Sequence, residues 1–419
     1  MVCCTTPSNV GEDITTCDVL VVGAGPGGGN AALHSARKGL STILIEDHPA
    51  IGTPVHCGEC ISDVACDNLQ LDLPPHVISK RVHGIRVIFP DGTAKKLTEE
   101  GYVLEKHLFE RWIAEEAVSE GATMHLSHKL RSMTKEHDDS GKFTGWLCDG
   151  KGDQFPIRAK IVIDASGVAG ATSRILDLNP RGKVIAGMQY EMLDVPTDGY
   201  LDFYIWPEFA EKGYLWMIPK CDGRANVGLV TEDKPRTKKA LDEFIEITHF
   251  KDLEQVPPPW KEKGNPAFGG TIPISGPYET TYDDGLMLVG DAAGFTSPLF
   301  EGGSHLALKS ATFAATVAAE QIASGDLSAA QMARYQKLWG DEFPPYGKIL
   351  RGKTALFDLS DDDLSLMARC FPDEMSNMGP HGKLAVCLRI LLRRPSLYAR
   401  RIIPAMLSFG YSRAKYYGW

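Results

Sequence analysis

Two cysteines three positions apart, Cys57 and Cys60, stand out in the stretch PVHCGECIS. Such a pair can hold a metal, form a redox disulfide beside a cofactor, or place one reactive thiol in a loop. It can also be two small buried residues without a chemical role. A metal is disfavoured because only His56 and Cys66 are close in sequence, which makes half a site. The choice among the other readings depends on the elements around the loop.

A glycine-rich turn near residue 25 joins an apolar run to a helical segment and a second apolar run. Gly23, Gly25 and Gly28 match G-x-G-x-x-G, in which they allow a tight turn, room for a diphosphate and close helix packing. The diphosphate would rest on free N–H groups at the start of the helix. Glu46 closes the second run and is expected to accept ribose hydrogen bonds. This order of elements predicts a dinucleotide site for flavin or nicotinamide.

The segment GDAAGFTSPLFEGGS, residues 290–304, decides between the two cofactors by resemblance. It resembles the GDAA…P…GG-helix block of flavoproteins of the p-hydroxybenzoate hydroxylase/glutathione reductase type. The resemblance implies that Asp291 holds the ribityl chain of FAD. It also implies that the helix opened by Gly302 and Gly303 faces the isoalloxazine, where the helix dipole stabilises the reduced, anionic flavin.

Two further blocks of the same flavoprotein group also favour FAD. KIVIDASGVAGATSRIL resembles the third block, and YVLEKHLFERWI resembles the R-x-x-F-D block. In the latter, Lys106 stands where arginine is usual and Glu110 where aspartate is usual, so charge is kept at both positions. No second G-x-G-x-x-G follows a strand elsewhere, so the electrons are expected from an external, transient donor, NADPH or ferredoxin.

The resemblance and the pattern of apolar runs predict an α/β fold. A Rossmann-type FAD-binding domain is expected together with an antiparallel β-sheet substrate domain, because short aromatic and β-branched runs separated by turns fill the intervening segments. A helical, basic and membrane-facing region is expected to follow. The predicted segments are 14–83, 103–180 and 270–340 for FAD binding, 84–102 and 181–269 for the substrate domain, and 341–419 for the C-terminal region.

Composition and charge restrict the location of the protein. Of 419 residues, 43% are hydrophobic and 23% are charged, as in ordinary globular proteins, and ten cysteines are scattered rather than arranged as a secreted disulfide framework. No signal-like segment begins the sequence, and no apolar run is long enough to span a bilayer. We therefore expect a cytoplasmic protein that does not bind nucleic acid.

The C-terminal part of the sequence differs in charge from the rest. Residues 375–419 contain eight lysines and arginines and no acidic residue, whereas the whole chain has a net charge of −10. The basic residues alternate with apolar ones between 383 and 415, which predicts peripheral binding to an anionic membrane surface. A packed helical hairpin, paired with the acidic body, is an equally compatible reading.

A second resemblance concerns the substrate. GYLWMIPK, which contains Tyr214 and Trp216, resembles the Y-x-W-x-F-P…V-G signature of geranylgeranyl reductases, flavoenzymes that saturate isoprenoid chains. PVHCGECIS resembles the P-V-x-C-G-E-G-I-S loop of that family, with Cys60 in place of glycine. The resemblance implies reduction of geranylgeranyl chains, above all those of membrane ether lipids, by hydride from reduced flavin and a proton. It favours Cys57 as the single functional thiol and an isoprenoid channel along the two aromatic residues.

An alternative is left open by the same strand. GYLWMIP also resembles the W-x-W-x-I-P of flavin-dependent halogenases, so a flavin-dependent monooxygenase or halogenase is the competing prediction. These enzymes require oxygen, whereas an alkene reductase works without it.

The predicted site consists of residues from both resemblances and contains no metal ligand. The predicted catalytic residues are Cys57, Tyr214 and Trp216, and the predicted cofactor-binding residues are Gly23, Gly25, Gly27, Gly28, Glu46, Cys57, Gly58, Cys60, Lys106, Leu130, Asp291, Gly302, Gly303 and Ser304.

Overall fold

The computed structural model describes residues 14–261, 264–397, 402–411 and 413–419, which form three β-sheets flanked by helices. The strands are β1 (Thr15–Val22), β2 (Thr42–Ile45), β3 (Cys60–Ser62), β4 (Ile78–Val82), β5 (Gly84–Ile88), β6 (Ala94–Leu97), β7 (Gly101–Leu104), β8 (Thr123–His125), β9 (Lys129–His137), β10 (Phe143–Lys151), β11 (Ile157–Asp164), β12 (Val184–Met192), β13 (Tyr200–Tyr204), β14 (Tyr214–Pro219), β15 (Ala225–Thr231), β16 (Gln255–Val256), β17 (Phe268–Pro273), β18 (Tyr282–Asp283) and β19 (Leu286–Leu288). The helices are α1 (Pro26–Arg37), α2 (Asp63–Leu69), α3 (Lys106–Ser119), α4 (Ala171–Ile175), α5 (Thr237–Ile247), α6 (Ser304–Ser324), α7 (Ala329–Glu342), α8 (Tyr346–Phe357), α9 (Asp361–Cys370), α10 (Pro380–Arg393), α11 (Ile402–Gly410) and α12 (Ala414–Tyr417).

The first sheet has the parallel centre of a dinucleotide-binding fold. Its strand order is β18-β19-β11-β1-β2-β8, and β10 pairs with β11 and β9 at one side. β1 runs parallel to β2 and β11, and β2–β8 and β11–β19 are parallel as well. Residues 19–22 of β1 are apolar and buried, as expected for a strand covered on both faces, and α1 packs against α3 and α6. The predicted Rossmann-type α/β class is confirmed.

The second sheet is mainly antiparallel and presents two different faces. Its order is β16-β12-β15-β14-β13-β5-β6, with β17 paired to β12. Along β14, Leu215 and Met217 pack into the cluster under α5, whereas Tyr214, Trp216 and Ile218 point to the opposite side. This alternation follows from the two-residue period of a β-strand. One face of the sheet is thereby available to wall a cavity.

A small third sheet, with the order β3-β7-β4, lies next to the two large ones. All strands of the first sheet fall within the segments predicted to bind FAD, and β7 and β17 cross predicted boundaries. The division into domains at those boundaries stays a prediction.

The C-terminal helices pack against one another and return to the body of the protein. α11 contacts α8, and α10 contacts α9. After α12 the chain lies beside β3, where the Ser62 N–H donates a hydrogen bond to the Gly418 carbonyl at 3.0 Å. In the described part of the chain, no helix has both the length and the apolarity needed to cross a membrane.

Candidate active site

A cavity of about 410 Å³ lies between the carboxyl ends of the parallel strands and the inner face of the second sheet. Ligands of open α/β sheets bind at this edge, where loops follow the strands. All predicted site residues line the cavity except Gly28 and Leu130. Leu130 lies on β9 with its side chain buried in the core, and its part in cofactor binding stays a prediction.

The glycine turn has the shape that a diphosphate needs. Gly23 has a φ of 97°, a backbone conformation that favours glycine. A Cβ on Gly28 would lie 1.7 Å from the Gly23 carbonyl oxygen, so glycine at this position allows α1 to pack closely against the turn. At Gly25, nothing lies within 4 Å of the Cβ position, and α1 begins without a side-chain cap. The free N–H groups of the first helical turn therefore face open space, which fits an anionic diphosphate.

Glu46 follows β2 and ties the glycine turn to the next loop. One carboxylate oxygen accepts a hydrogen bond from the Ala24 N–H at 2.7 Å, and the other accepts one from the His48 N–H at 3.0 Å. The oxygen that accepts from the His48 N–H, Oε1, also lies 2.6 Å from the His48 ring nitrogen Nδ1. Glu46 lines the cavity, so its carboxylate is fixed at the end of β2 where a ribose would bind.

Asp291, Lys106 and Ser304 form the polar end of the cavity near the start of α6. The Lys106 ammonium donates a hydrogen bond to the Ser304 hydroxyl at 3.1 Å and lies 3.6 Å from the Glu110 carboxylate. Burial raises the pKa of Asp291 to about 6, opposed by the charge of Lys106. A desolvated carboxylate that faces a cavity is suited to accept hydrogen bonds from ligand hydroxyls. The residues at this end thus fit the ribityl chain of FAD.

Cys57 presents its thiol where the two large sheets meet. Its sulfur accepts a hydrogen bond from the Glu59 N–H at 3.2 Å and lies 4.0 Å from the Ser304 hydroxyl. Its carbonyl oxygen accepts a hydrogen bond from the Gln189 side chain at 2.9 Å. Both ends of the residue are therefore held in place beside the cavity.

Cys60 has different surroundings, although it lines the same cavity. Its thiol donates to the Gly58 carbonyl at 3.5 Å, and burial, with smaller contributions from Cys57 and Glu59, raises its pKa well above the usual value. Both cysteines are free thiols. Within the described residues, neither belongs to a group of three potential metal ligands. Of the two described sulfurs, the one that accepts a hydrogen bond from a backbone N–H, and could therefore be stabilised as a thiolate, is that of Cys57.

An aromatic wall faces the thiol. Tyr214 and Phe300 meet edge to face at 5.2 Å, and Phe203 packs against both of them at 5.2 Å. The Tyr214 hydroxyl donates to the Phe300 carbonyl at 2.7 Å, and burial raises its pKa well above the usual range. Trp216 lies 5.8 Å from Tyr214. The wall is apolar because its polar atoms are bonded within the protein.

Gln189 and Glu59 are site residues that the sequence analysis did not identify. The Trp216 indole N–H donates to the side-chain oxygen Oε1 of Gln189 at 3.0 Å, and this orients the Gln189 side-chain NH₂ toward the Cys57 backbone carbonyl. Glu59 adjoins Cys57 in the loop and is almost fully buried. The partners of Gln189 and Glu59 are distant in sequence, so no local pattern predicts either role. For Glu59, its position in the C-G-E motif was the one available signal.

The last described residues also line the cavity. Tyr417 and Trp419 face it, and a Cβ on Gly302 would lie 2.3 Å from the Trp419 carbonyl oxygen. Residues 341–419 are predicted from the sequence to form a membrane-facing region, but Tyr417 and Trp419 at its end face this cavity. Gly302 is therefore needed for close packing of this segment as well as for the start of α6.

The chain matches two protein families. Residues 18–172 match the FAD dependent oxidoreductase family, and residues 184–256 match the geranylgeranyl reductase catalytic domain. Digeranylgeranylglycerophospholipid reductase 2 of Methanopyrus kandleri is 33% identical over 401 residues, which cover 92% of this chain and 99% of the relative.

Solved structures give the same picture. The crystal structure of a geranylgeranyl bacteriochlorophyll reductase-like protein from Thermoplasma acidophilum has a TM-score of 0.80 and 31% identity, covering 92% of this chain and 98% of that chain. A flavin-dependent brominase has a TM-score of 0.68 at 19% identity, covering 95% and 98% of the two chains, which shows a shared fold alone. The reductase prediction is thus favoured over the halogenase alternative, and FAD is confirmed as the cofactor. Similarity of this degree over nearly the whole of both chains shows that the protein belongs to the geranylgeranyl reductase family of FAD-dependent oxidoreductases.

Proposed function

We propose that this enzyme saturates the geranylgeranyl chains of a glycerol-based membrane lipid and that Cys57 donates the proton. The observation that carries this proposal is the location of the Cys57 sulfur. It lies 4.0 Å from Ser304 at the start of α6 and lines a cavity shared with Tyr214 and Trp216. The lipid is inferred from the relatives, which are digeranylgeranylglycerophospholipid reductases.

The residues that would hold FAD surround one end of this cavity. The N–H groups after Gly25 would bind the diphosphate, Glu46 the ribose and Asp291 the ribityl chain. When bound and reduced, FAD supplies a hydride to one carbon of the double bond. The start of α6, at Gly303 and Ser304, contributes a positive helix end toward the same space.

The protein supplies the proton and the surroundings of the double bond. The proton leaves the Cys57 sulfur as a new C–H bond forms, the electron pair of the S–H bond stays on sulfur, and the resulting thiolate takes a proton from water. No carbonyl activates an isolated alkene, so positive charge develops on carbon in the transition state. The faces of Tyr214 and Trp216 stabilise such charge while excluding water.

The lipid proposal predicts turnover without oxygen. Enzyme reduced with dithionite under nitrogen should convert a digeranylgeranyl glycerophospholipid to products that are heavier by two hydrogens for each double bond, measured by mass spectrometry. Free geranylgeranyl diphosphate, offered in a parallel reaction, should react more slowly because it lacks the second chain and the glycerol. Lipid recovered without any mass gain, or gain only in the presence of oxygen, would contradict the proposal.

The electron donor is proposed to be an external protein or nucleotide. NADPH and reduced ferredoxin are the two candidates, because the sequence has no second G-x-G-x-x-G after a strand. Bleaching of the flavin absorbance by one donor and not by the other identifies the partner. The donor that bleaches must also support lipid saturation in place of dithionite.

We further propose a cytoplasmic location with peripheral membrane binding through α10. Leu384, Leu388 and Leu392 are spaced by four residues and are 59%, 50% and 84% exposed, so they form one apolar stripe on the helix surface. Ile403 on α11 is exposed as well, whereas Ile390 points into the core. The apolar surface is therefore narrower than the sequence pattern indicates.

The basic residues of this region are partly engaged within the protein. Arg394 forms an ion pair with Asp363 at 3.0 Å, and Arg393 donates to the Cys370 sulfur at 3.4 Å. Arg400 and Arg401, also expected to contact lipid, lie outside the described residues. Mutation of the exposed leucines therefore tests membrane binding more directly than mutation of Arg393 and Arg394, which would also break contacts within the protein.

Replacing Leu388 and Leu392 by serine is expected to weaken binding to anionic vesicles about 30- to 1000-fold, because each inserted leucine contributes about 1–2 kcal/mol. Vesicle co-sedimentation at low salt measures the effect, and neutral vesicles should bind poorly throughout. Val118 and Ile247, which are also exposed, provide the matched double serine control. Equal binding of the two double variants would mean that α10 is not the membrane contact.

A further inference from the structure

Glu59 connects the Cys57 loop to the elements around it. It is 2% exposed and has a φ of 73°, a backbone conformation that side chains other than glycine adopt at a cost. Its backbone N–H donates to the Cys57 sulfur at 3.2 Å, and its carbonyl oxygen accepts from the Leu104 N–H at 2.8 Å. A charged residue in this buried, strained position requires strong partners to hold it.

Those partners come from three separate elements. The Lys106 backbone N–H, at the start of α3, donates to Oε1 of Glu59 at 3.1 Å. The Lys220 ammonium, at the end of β14, and the Asn226 amide, on β15, donate to Oε2 at 2.8 Å and 2.5 Å. The carboxylate therefore joins the loop to the FAD-binding side and to the second sheet at once.

Lys220 anchors Glu59 within a larger buried network. Its ammonium also lies 3.0 Å from Glu105 and 3.8 Å from Glu191, and Arg224 contacts these two carboxylates at 2.6 Å and 3.1 Å. Buried ion pairs add little net stability, but removing one partner leaves an uncompensated charge. The network thus holds Lys220 beside Glu59, and loss of any one charged partner is expected to destabilise the fold.

We infer that Glu59 is the positioning residue for the Cys57 thiol. The carboxylate anchors the loop so that the Glu59 N–H stays directed at the sulfur. When the thiol gives its proton to the substrate carbon, this N–H is the hydrogen-bond donor that stabilises the thiolate left behind. The inference rests on the proposed role of Cys57, and it adds a residue that acts through the sulfur without touching the substrate.

Glu59→Gln tests this role because the amide keeps the size of the side chain. The carboxylate accepts hydrogen bonds at both Oε1 and Oε2, whereas the amide has a single acceptor oxygen. One donor then faces an NH₂ group, so the loop must shift. Loss of the N–H contact makes the thiolate harder to form, whereas loss of the negative charge alone would make it easier. The two effects change the thiol titration in opposite directions.

The measurement is the rate of iodoacetamide alkylation of Cys57 against pH in the FAD-loaded enzyme, followed by mass spectrometry of the peptide that contains it. We expect the midpoint in Glu59→Gln to rise by about one pH unit relative to the wild type. Asn226→Ala removes only one donor to the same carboxylate oxygen, and a smaller rise is expected. This milder variant provides the answer if Glu59→Gln does not fold.

Glu105→Gln is the matched control, because the Glu105 carboxylate belongs to the same buried network and, among the described residues, its partners are Lys220, Arg224 and Ser79 rather than residues of the Cys57 loop. It should lower the melting temperature while leaving the Cys57 midpoint unchanged. A midpoint that falls in Glu59→Gln, or stays at the wild-type value, would overturn the positioning role. The titration does not require turnover, so failure here is separate from failure of the proposed lipid reaction, which shows as missing mass gain in the wild type.

Discussion

Cys57→Ser is expected to lower the rate of isoprenoid saturation by about 10²- to 10⁴-fold while FAD stays bound. Serine has nearly the size of cysteine, so the loop and its contacts to Gln189 and Glu59 should be kept. A hydroxyl is a much weaker acid than a thiol, however, and cannot release its proton to a developing carbocation at a comparable rate. The loss should appear in kcat and leave the affinity for the lipid nearly unchanged.

Cys60→Ser is the control for this experiment. The Cys60 thiol donates only to the neighbouring Gly58 carbonyl, and a hydroxyl can make the same contact. We expect activity within about threefold of the wild type, because the substitution keeps this hydrogen bond. Anaerobic single-turnover experiments, with lipid mass as the readout, compare the two variants. Equal losses in both would revive the redox disulfide, and full activity of Cys57→Ser would exclude this thiol as the proton donor.

Asp291→Asn is expected to have opposite effects on FAD binding and on the stability of the apoenzyme. The dissociation constant for FAD should rise about 10- to 100-fold, because a hydrogen bond to a charged acceptor contributes about 1.5–3 kcal/mol. The apoenzyme should become more stable, since burial raises the pKa of Asp291 to about 6 and so penalises the charged carboxylate. The expected gain at neutral pH is on the order of 1–3 kcal/mol.

The pH dependence of that gain follows from the sign of the shift. The pKa of Asp291 is raised in the folded protein, so the charged side chain lowers the free energy of unfolding above about pH 6. Below the ordinary aspartate value of 3.8, the carboxyl is neutral in both states and the penalty vanishes. The melting temperature difference between Asp291→Asn and the wild type should therefore be largest at neutral pH and disappear near about pH 4.

Fluorescence titration with FAD and thermal unfolding of the apoenzyme measure the two effects. Asp283→Asn is the control, because Asp283 pairs with Lys135 at 3.0 Å on β18 and does not line the cavity. It should leave FAD affinity unchanged and should not stabilise the apoenzyme. Unchanged affinity in Asp291→Asn would contradict the ribityl role inferred for this aspartate.

Local patterns in the sequence were sufficient to predict the fold class and to identify residues that the structure places around one end of the cavity. Gly23, Gly25 and Gly28 are constrained by backbone geometry within a single turn, so their spacing alone indicates the diphosphate cradle. Asp291 and the glycine pair before α6 likewise belong to one continuous segment, so their pattern can be read from the sequence. The position of Leu130 could not be predicted in this way, because the direction in which a strand side chain points depends on the elements that cover the strand.

Only the tertiary structure decided how Cys57 is held and how the cavity is closed. Glu59, Lys220 and Asn226 are up to 167 residues apart in sequence, and their hydrogen bonds exist only after the two large sheets have packed together. The inward turn of Trp419 and the burial of Ile390 likewise depend on neighbours from other elements. Residue type and spacing encode contacts within a turn, a helix or a strand. Contacts between elements follow from packing and burial, which no local pattern contains.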